Sequence, residues 1–261
     1  MRFAISLAIV PLFALLSCSS APDPQSDSPQ SSSSPISGGV DDPNDSFVVG
    51  ILGMESATSG NTCSGALIAP NIVLTARHCV ADSPGGASCG QSVANFGSVR
   101  PASQFHVTTQ WDYTDSIEKL KLAGTWYKAS KIAVSSEGVA LCGYDLALIL
   151  LEESIPSSEA VPIAPAVHAP VSINQAYSAV GFGLPVSGRR VRLDGLAVKC
   201  IDSCQVGLVD PNREWGGDRG LLPGDSGGPA LNLDGQIIGV VSRSDGSVSA
   251  YESVYAARDW I

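Results

Sequence analysis

The chain has 261 residues, of which 44% are hydrophobic and 15% are charged, so it can bury a sizeable core and is not a wholly disordered protein, a collagen or a coiled coil. Fifteen Lys and Arg against 25 Asp and Glu give a formal net charge of −10. Because nucleic acids and anionic lipid head groups are bound by clustered positive charge, this balance argues against both as partners.

The first predicted element is an export signal over residues 1–17. Arg2 precedes an apolar run over residues 7–16 that only Pro11 interrupts. This run is too short to cross a hydrocarbon core of about 30 Å, and no later stretch reaches eighteen apolar residues. We therefore expect an exported protein without a membrane-spanning helix.

The end of the signal, residues 15–18 (LLSC), resembles the lipoprotein box of bacteria, although Leu16 is bulkier than usual there. In that box the cysteine becomes the lipid-modified amino terminus. Cleavage after Ala21 is the alternative, but Pro22 would be a poor residue behind the cut. We therefore expect lipidation at Cys18, with membrane contact only through that anchor, at a bacterial cell surface or in a periplasm.

Residues 18–35 contain eight Ser, four Pro and no large apolar side chain. Such a segment cannot bury enough surface to offset the entropy of ordering it. It is predicted to be a tether that holds a domain away from a surface.

From residue 36 onward, short apolar runs bounded by Gly, Pro, Asn or Asp predict β-strands. The runs are residues 47–52, 66–69, 72–76, 146–151, 177–183 and 236–242. The nearest approach to a helical apolar period, over residues 116–122, is brief. This pattern predicts an all-β sandwich or barrel.

Seven cysteines become six if Cys18 carries lipid, and an even number in an exported chain suits disulfides. Metal ligation is the alternative, but no close cysteine pair lies beside a histidine, so we expect neither a metal nor another cofactor. The predicted pairs are Cys63–Cys79, Cys89–Cys142 and Cys200–Cys204.

Three residues are candidates for catalysis, and each is weak when taken alone. His78 could be an ordinary core or surface histidine, as His106 and His168 are interpreted to be. Asp145 could mark the start of a buried strand, and Ser226 could belong to a glycine-rich turn. Their order in an exported β protein with predicted disulfides favours a joint catalytic role.

The segments around these residues are TARHC (75–79), YDLAL (144–148) and GDSGGP (224–229). They resemble the histidine, aspartate and serine motifs of the trypsin/chymotrypsin family of serine peptidases. The resemblance extends over most of residues 36–261. Supporting segments are CSGALI (63–68), VGFG (180–183), IIGVVS (237–242) and VYAARDWI (254–261).

The resemblance implies one monomeric peptidase domain over residues 36–261. Its fold would be two six-stranded antiparallel β-barrels with the active site in the cleft between them, and a short C-terminal helix. The implied activity is endopeptidase cleavage of proteins or peptides through an acyl-enzyme on Ser226, with His78 as general base and acid and Asp145 orienting it. Backbone N–H groups of Gly224 and Ser226 would form the oxyanion hole. The alternative is a catalytically silent, surface-tethered binding module on the same fold.

In the family, the residue at Asp225 pairs with a new amino terminus that cleavage frees. Residues 36–39 (ISGG) resemble the start of an activated chain, with Ser37 where Val is usual, and Pro35 is an unusual residue before a cleavage site. We hypothesise that a cut before Ile36 activates the domain and releases it from its tether as a secreted enzyme.

The same resemblance assigns a specificity pocket. Gly220 stands where trypsin has an aspartate, so a preference for Lys or Arg is not supported, and Leu222 replaces a half-cystine. Ser253 is also assigned to the pocket. We expect a neutral pocket for small or apolar side chains.

The other wall of the pocket is assigned to Ser242, Arg243 and Ser244. Arg243 stands where the family usually has Trp. It could attract acidic substrates or lie in solvent, and the second interpretation is favoured.

Overall fold

The computed structural model describes residues 38–56, 59–84, 89, 94–119, 122, 124–183, 188–202, 204 and 209–261. All of these belong to the unit Ser33–Ile261. The predicted signal, the tether with Cys18 and Pro35, and Ile36 at the start of the predicted domain lie outside the described residues. In the part of the chain that is described, no helix is long and apolar enough to cross a membrane.

The described residues contain thirteen strands and one short α-helix. The strands are β1 (Val40–Asp41), β2 (Val48–Ser56), β3 (Ser59–Ala69), β4 (Ile72–Thr75), β5 (Phe105–Thr108), β6 (Tyr127–Val134), β7 (Ala147–Leu151), β8 (Ala176–Gly181), β9 (Val191–Cys200), β10 (Glu214–Gly217), β11 (Pro229–Leu231), β12 (Ile237–Ser244) and β13 (Ser249–Ser253). The helix α1 is Thr114–Lys119.

Six strands close the first barrel in the order β2-β3-β4-β7-β6-β5, and every pairing is antiparallel. Successive side chains of a strand point to opposite faces, so one set can fill the barrel. In β7, Ala147, Ile149 and Leu151 are buried while Leu148 and Leu150 are half-buried. The LALILL run therefore supplies the barrel interior with every second side chain.

The second barrel has the order β9-β10-β13-β12-β11-β8, which β8 closes by pairing with β9, while β1 adds to the outer edge of β9. Its core contains Trp215 stacked on Tyr251, with ring centroids 4.2 Å apart. Tyr177 meets both rings edge-on. A Cβ at Gly239 would lie 2.6 Å from the Trp215 ring, so the indole needs a glycine opposite it. The predicted fold of two closed six-stranded antiparallel barrels is confirmed.

The predicted C-terminal helix is replaced by consecutive turns over residues 254–260. Ile261 N donates to Ala257 O at 3.0 Å and Ala257 N donates to Ser253 O at 3.2 Å. These bonds are isolated, so they do not build the repeating ladder that a helix requires.

The structure contains all three predicted disulfides, and their cysteines have the Cα separations that a bridge requires. The pairs are Cys63–Cys79, Cys89–Cys142 and Cys200–Cys204.

Candidate active site

His78 lies in a 3-10 turn, Arg77–Cys79, that directly follows β4. The Cys63–Cys79 disulfide ties this turn to β3. The imidazole Nδ1 is 2.7 Å from Asp145 Oδ2, and the backbone N–H of His78 donates to Asp145 Oδ1 at 2.8 Å. Asp145 therefore holds both the ring and the main chain of the histidine.

Asp145 is fully buried just before β7. Its Oδ2 also accepts a hydrogen bond of 2.6 Å from the hydroxyl of Ser242 in β12. Its own backbone N–H donates to Glu252 Oε1 in β13 at 2.9 Å. Two strands of the second barrel thus hold Asp145, β12 through its carboxylate and β13 through its main chain.

Opposing influences act on the pKa of His78. Burial alone would lower it, but the negative charge of Asp145 and the hydrogen bond to that carboxylate outweigh burial and raise the pKa above 6.5. The positive charge of Arg243 acts in the lowering direction. The carboxylate therefore makes His78 a stronger base, which favours its taking a proton from a nucleophile.

Ser226 lies in the turn between β10 and β11, beside the histidine turn. Its carbonyl accepts a hydrogen bond of 2.8 Å from Ser64 N, and Cys79 Sγ lies 3.6 Å from the same oxygen. Among the described residues, no hydrogen bond joins the Ser226 hydroxyl to the His78 ring. Such bonds often tighten only when substrate binds.

Glycine shapes the serine turn because Gly224 has φ +102°. A Cβ there would lie 2.8 Å from Gly183 Cα, so both the backbone angle and the space require glycine. Within the described part of the chain, the backbone N–H groups of Gly224 and Ser226 have no hydrogen-bond partner. Two donors are thus available on the turn that carries the serine.

The Ser64 hydroxyl supports this turn and was not predicted from the sequence. It donates to Gly224 O at 2.8 Å and accepts a hydrogen bond of 2.9 Å from Phe182 N. Asp225 is also buried and accepts hydrogen bonds from Gly183 N at 2.8 Å and from Leu222 N at 2.9 Å. Its assigned partner, Ile36, lies outside the described residues.

A cavity of about 300 Å³ opens beside Ser226. It is lined by Leu221, Leu222, Pro223, Ser226, Val241, Ser242, Arg243 and Ser244. The structure thus places the three assigned residues of β12 in this wall. Gly220 and Ser253 are not among the lining residues. Ser253 is buried in β13 opposite Gly239, and its N–H donates to Arg213 O.

The structure corrects the expectation for Arg243, whose side chain neither lies in solvent nor is free to face an acidic substrate. The side chain is only 7% exposed. Its Nη1 and Nη2 donate to the two carboxylate oxygens of Glu214 at 2.7 and 2.6 Å. An arginine can replace an apolar residue in this wall because a buried counter-charge lies behind it.

The sequence interpretation missed Glu214 and Glu252. Both are buried, with 2% and 1% of their surface exposed. The available signal was an acidic residue beside a large aromatic one, Glu214 next to Trp215 in β10 and Glu252 next to Tyr251 in β13. The sequence does not show that Arg243 is buried, so it gives no reason to expect a buried acidic partner for Arg243.

The sulfur atoms of Cys63 and Cys79 and a ring nitrogen of His78 lie within 4.8 Å of one another. Metal ligation by cysteine requires thiolates. Because the two sulfur atoms are joined in a disulfide, this cluster is not a metal site.

The trypsin family model matches residues 36–261, so the chain belongs to the trypsin family. A comparison with curated proteins found no match. The disulfides and the family together indicate an extracellular protein.

Solved structures share the fold. Human heparin binding protein aligns with a TM-score of 0.62 at 21% identity, covering 85% of this chain and 93% of that chain. The VesB protease of Vibrio cholerae aligns with a TM-score of 0.60 at 20% identity, covering 85% of this chain and 65% of that chain. At these identities the likeness shows the fold alone.

Proposed function

We propose that this member of the trypsin family is a serine endopeptidase with Ser226 as nucleophile, His78 as general base and acid, and Asp145 as the residue that orients His78. The observation that carries the proposal is the 2.7 Å contact of His78 Nδ1 with a buried carboxylate, beside a glycine-rich turn that presents a serine. The roles are those of the family triad, carried over to the matching positions.

In the proposed acylation, Ser226 Oγ attacks the carbonyl carbon of the scissile bond while His78 Nε2 takes the hydroxyl proton. The oxyanion accepts hydrogen bonds from the N–H groups of Gly224 and Ser226. The C–N bond then breaks, and His78 returns the proton to the leaving amine. An ester on Ser226 remains.

Deacylation repeats these steps with water. The oxygen of the water attacks the ester carbonyl while His78 takes a proton from that water. Collapse of the second tetrahedral intermediate breaks the bond to Ser226 Oγ, which recovers its proton from His78. The product acid leaves, and Asp145 keeps its charge throughout because it stabilises the imidazolium rather than accepting the proton.

The residues that line the cavity support a proposal for the substrate preference. Leu221, Leu222 and Val241 offer apolar surface, and the charge of Arg243 is balanced by Glu214. A charged side chain would lose its hydration in this cavity without gaining an opposite charge. We therefore propose small or apolar residues before the cleaved bond.

We also propose that the enzyme is a monomer, that a lipid attaches it to a membrane and that cleavage activates it. A lipid on Cys18 would hold the exported domain at a bacterial surface or in the periplasm, and a cut before Ile36 would release it. Because residues 18–35 contain no cysteine other than Cys18, no disulfide would retain the cleaved domain.

The second candidate is a binding module without catalysis, which the fold shared with a protein named for heparin binding favours. A net charge of −10 opposes binding of a polyanion to this chain. A fluorophosphonate probe separates the two candidates, because only an activated serine reacts with it. We expect labelling of the protein cut before Ile36 and of a Ser247→Ala control cut in the same way, but not of Ser226→Ala. Absence of labelling in all three would favour the binding module.

A further inference from the structure

Three charged side chains lie behind Asp145 in the second barrel. Glu214 in β10 and Glu252 in β13 are directly opposite each other across the antiparallel pair. Like charges at such positions repel, and burial in a barrel increases the repulsion. Arg243 in the neighbouring strand β12 completes this group, which we call the buried Glu–Arg–Glu cluster.

Hydrogen bonds connect the cluster to the proposed catalytic residues. Arg243 Nη1 donates to Ser242 Oγ at 2.9 Å as well as to Glu214 Oε1. The Ser242 hydroxyl then has its own proton free to donate to Asp145 Oδ2, at 2.6 Å. A bidentate pair has a fixed orientation, so Glu214 anchors the guanidinium that orients this hydroxyl.

Glu214 is itself held by the main chain. Its Oε1 accepts a hydrogen bond from Gly143 N at 2.9 Å, and its Oε2 accepts one from Asp210 N at 2.6 Å. Gly143 lies two residues before Asp145. The anchor of Arg243 is therefore fixed to the same loop that carries the aspartate.

The charges of these buried groups do not balance if all are ionised. Asp145, Glu214 and Glu252 would contribute three negative charges against the single positive charge of Arg243. Burying an uncompensated carboxylate is costly, and the usual result is retention of a proton. Burial and the charges of Glu214 and Asp145 raise the pKa of Glu252 well above its usual range, and a hydrogen bond to the Glu214 carboxyl acts in the same direction.

We propose that Arg243 is a positioning residue that holds Ser242 against Asp145 and tunes the basicity of His78, and that Glu252 is a neutral carboxylic acid in the folded protein. The neutral acid donates its proton to Glu214 and accepts the N–H of Asp145. This inference rests on the proposed function, in which His78 is the general base. It adds three residues that the family motifs do not contain.

The sign of the effect follows from the charges around His78. Removing the positive charge of Arg243 favours the imidazolium and raises the pKa of His78, because that charge acts in the lowering direction. Replacing a neutral Glu252 by glutamine removes no charge and leaves the pKa in place. Other charged groups near the ring stay constant in every variant. They are Arg77 in the histidine turn, and Glu55, Asp82 and Arg100 around the adjoining cavity.

The experiment compares the full-length protein with Arg243→Met, Arg243→Lys and Glu252→Gln, and with Arg189→Met as a control. Arg189 pairs with Asp112 outside the site. Two readouts are used: the acid limb of kcat/KM, and the NMR titration of the His78 ring. We expect both to move up by about one pH unit in Arg243→Met, which is the scale of one nearby charge. Because Arg243→Lys keeps the positive charge, its acid limb and its His78 titration should stay close to those of the unmodified protein. Neither readout should move in Glu252→Gln or in the control.

A folded Arg243→Met variant with unchanged His78 titration would overturn the role of Arg243. A downward shift in Glu252→Gln would show that Glu252 is ionised and would overturn the neutral acid. If Arg243→Met does not fold, the double variant Arg243→Met/Glu214→Gln removes the pair together. It should lower kcat about tenfold, the scale of one charge-assisted hydrogen bond, and an unchanged kcat contradicts the positioning role.

The NMR titration does not depend on hydrolysis, so it separates the inference from the proposed function. A protein that fails to cleave peptides but shows the His78 shift in Arg243→Met would contradict the peptidase assignment and keep the electrostatic cluster. A protein that cleaves peptides but shows no His78 shift in Arg243→Met would keep the peptidase assignment and contradict the role of Arg243.

Discussion

At the residue scale, the proposed chemistry depends on the proton that His78 carries. The Asp145 carboxylate, 2.7 Å from the ring, raises the pKa of His78 above 6.5 despite burial. A general base must be neutral, so activity is lost as the pH falls through the pKa of His78. We expect the midpoint of the acid limb of kcat/KM to lie above pH 6.5.

The variant Asp145→Asn tests the cause of this shift. Without the carboxylate the acid limb should move below that of the unmodified protein, and kcat should fall by about 10⁴, as for a triad with the wrong tautomer. Asp112→Asn is a control that removes a carboxylate paired with Arg189. An acid limb that moves upward in Asp145→Asn would contradict the assigned role.

Ser226→Ala removes the nucleophile while leaving the turn in place. The backbone bond from Ser64 N to Ser226 O does not involve the side chain, so the fold should persist. We expect kcat to fall by about 10⁶, the scale of triad removal in a serine peptidase. Unchanged circular dichroism would confirm folding, and peptide hydrolysis near the original rate would rule out Ser226 as nucleophile.

The sequence predicted His78, Asp145 and Ser226 because each lies in a short motif whose residue types are dictated by chemistry. It did not predict Glu214 or Glu252, since buried partners are chosen by three-dimensional packing. Arg243 shows the difference. Its place in the pocket wall was predicted from the family resemblance, but the direction of its side chain depends on Glu214, 29 residues earlier in the chain.

At the element scale, strands were predictable where apolar runs are continuous. The run at residues 146–151 corresponds to β7, and the run at 236–242 corresponds to β12. Strands β9 and β13 were missed because their sequences, VRLDGLAVKC and SAYES, mix charged and small residues with apolar ones. In these strands the pairing partners, rather than hydropathy, decide the conformation.

The pairing of β10 with β13 places Glu252 opposite Glu214, and from this we predict how the stability of the fold changes with pH. If Glu252 is protonated in the folded chain but ionised above pH 4.5 in the unfolded chain, the folded state binds the extra proton. The free energy of unfolding then falls as pH rises, by up to about 1.4 kcal/mol per pH unit, until the folded-state pKa is reached. Glu252→Gln lacks this loss, so its stability relative to the unmodified protein should increase with pH.

Urea unfolding with the disulfides intact, at pH 5 and pH 8, measures this difference. Glu153→Gln is the matched control, because Glu153 is exposed. A constant difference between Glu252→Gln and the unmodified protein at the two pH values would contradict a proton held on Glu252.

At the scale of the whole molecule, the site is assembled from both barrels. His78 and Asp145 belong to loops of the first barrel, whereas Ser226 and Ser242 belong to the second. The bonds from Ser242 and Ser64 cross between the two. A contact that orders the turn around Ser226 therefore also affects the position of Ser226 relative to His78 and Asp145.

Asp225 is the residue through which the amino-terminal segment could act on that turn. Its buried carboxylate accepts N–H groups from Gly183 and Leu222, next to the proposed oxyanion donors. A new amino terminus at Ile36 would supply a positive charge to a carboxylate buried in low dielectric. We expect a cut before Ile36 to raise peptidase activity by about a hundredfold, the scale of one oxyanion donor.

The measurement follows peptide hydrolysis by the full-length chain before and after cleavage, with amino-terminal sequencing of the product. Asp225→Asn should be cut equally well but gain little activity, because the neutral amide cannot pair with the new terminus. Asp218→Asn, which loses a carboxylate paired with Lys199 at 3.1 Å, should gain activity like the unmodified protein. A fully active chain whose first residue is still Cys18 would show that the serine turn is ordered without the new terminus, and the coupling of activation to release would then be wrong.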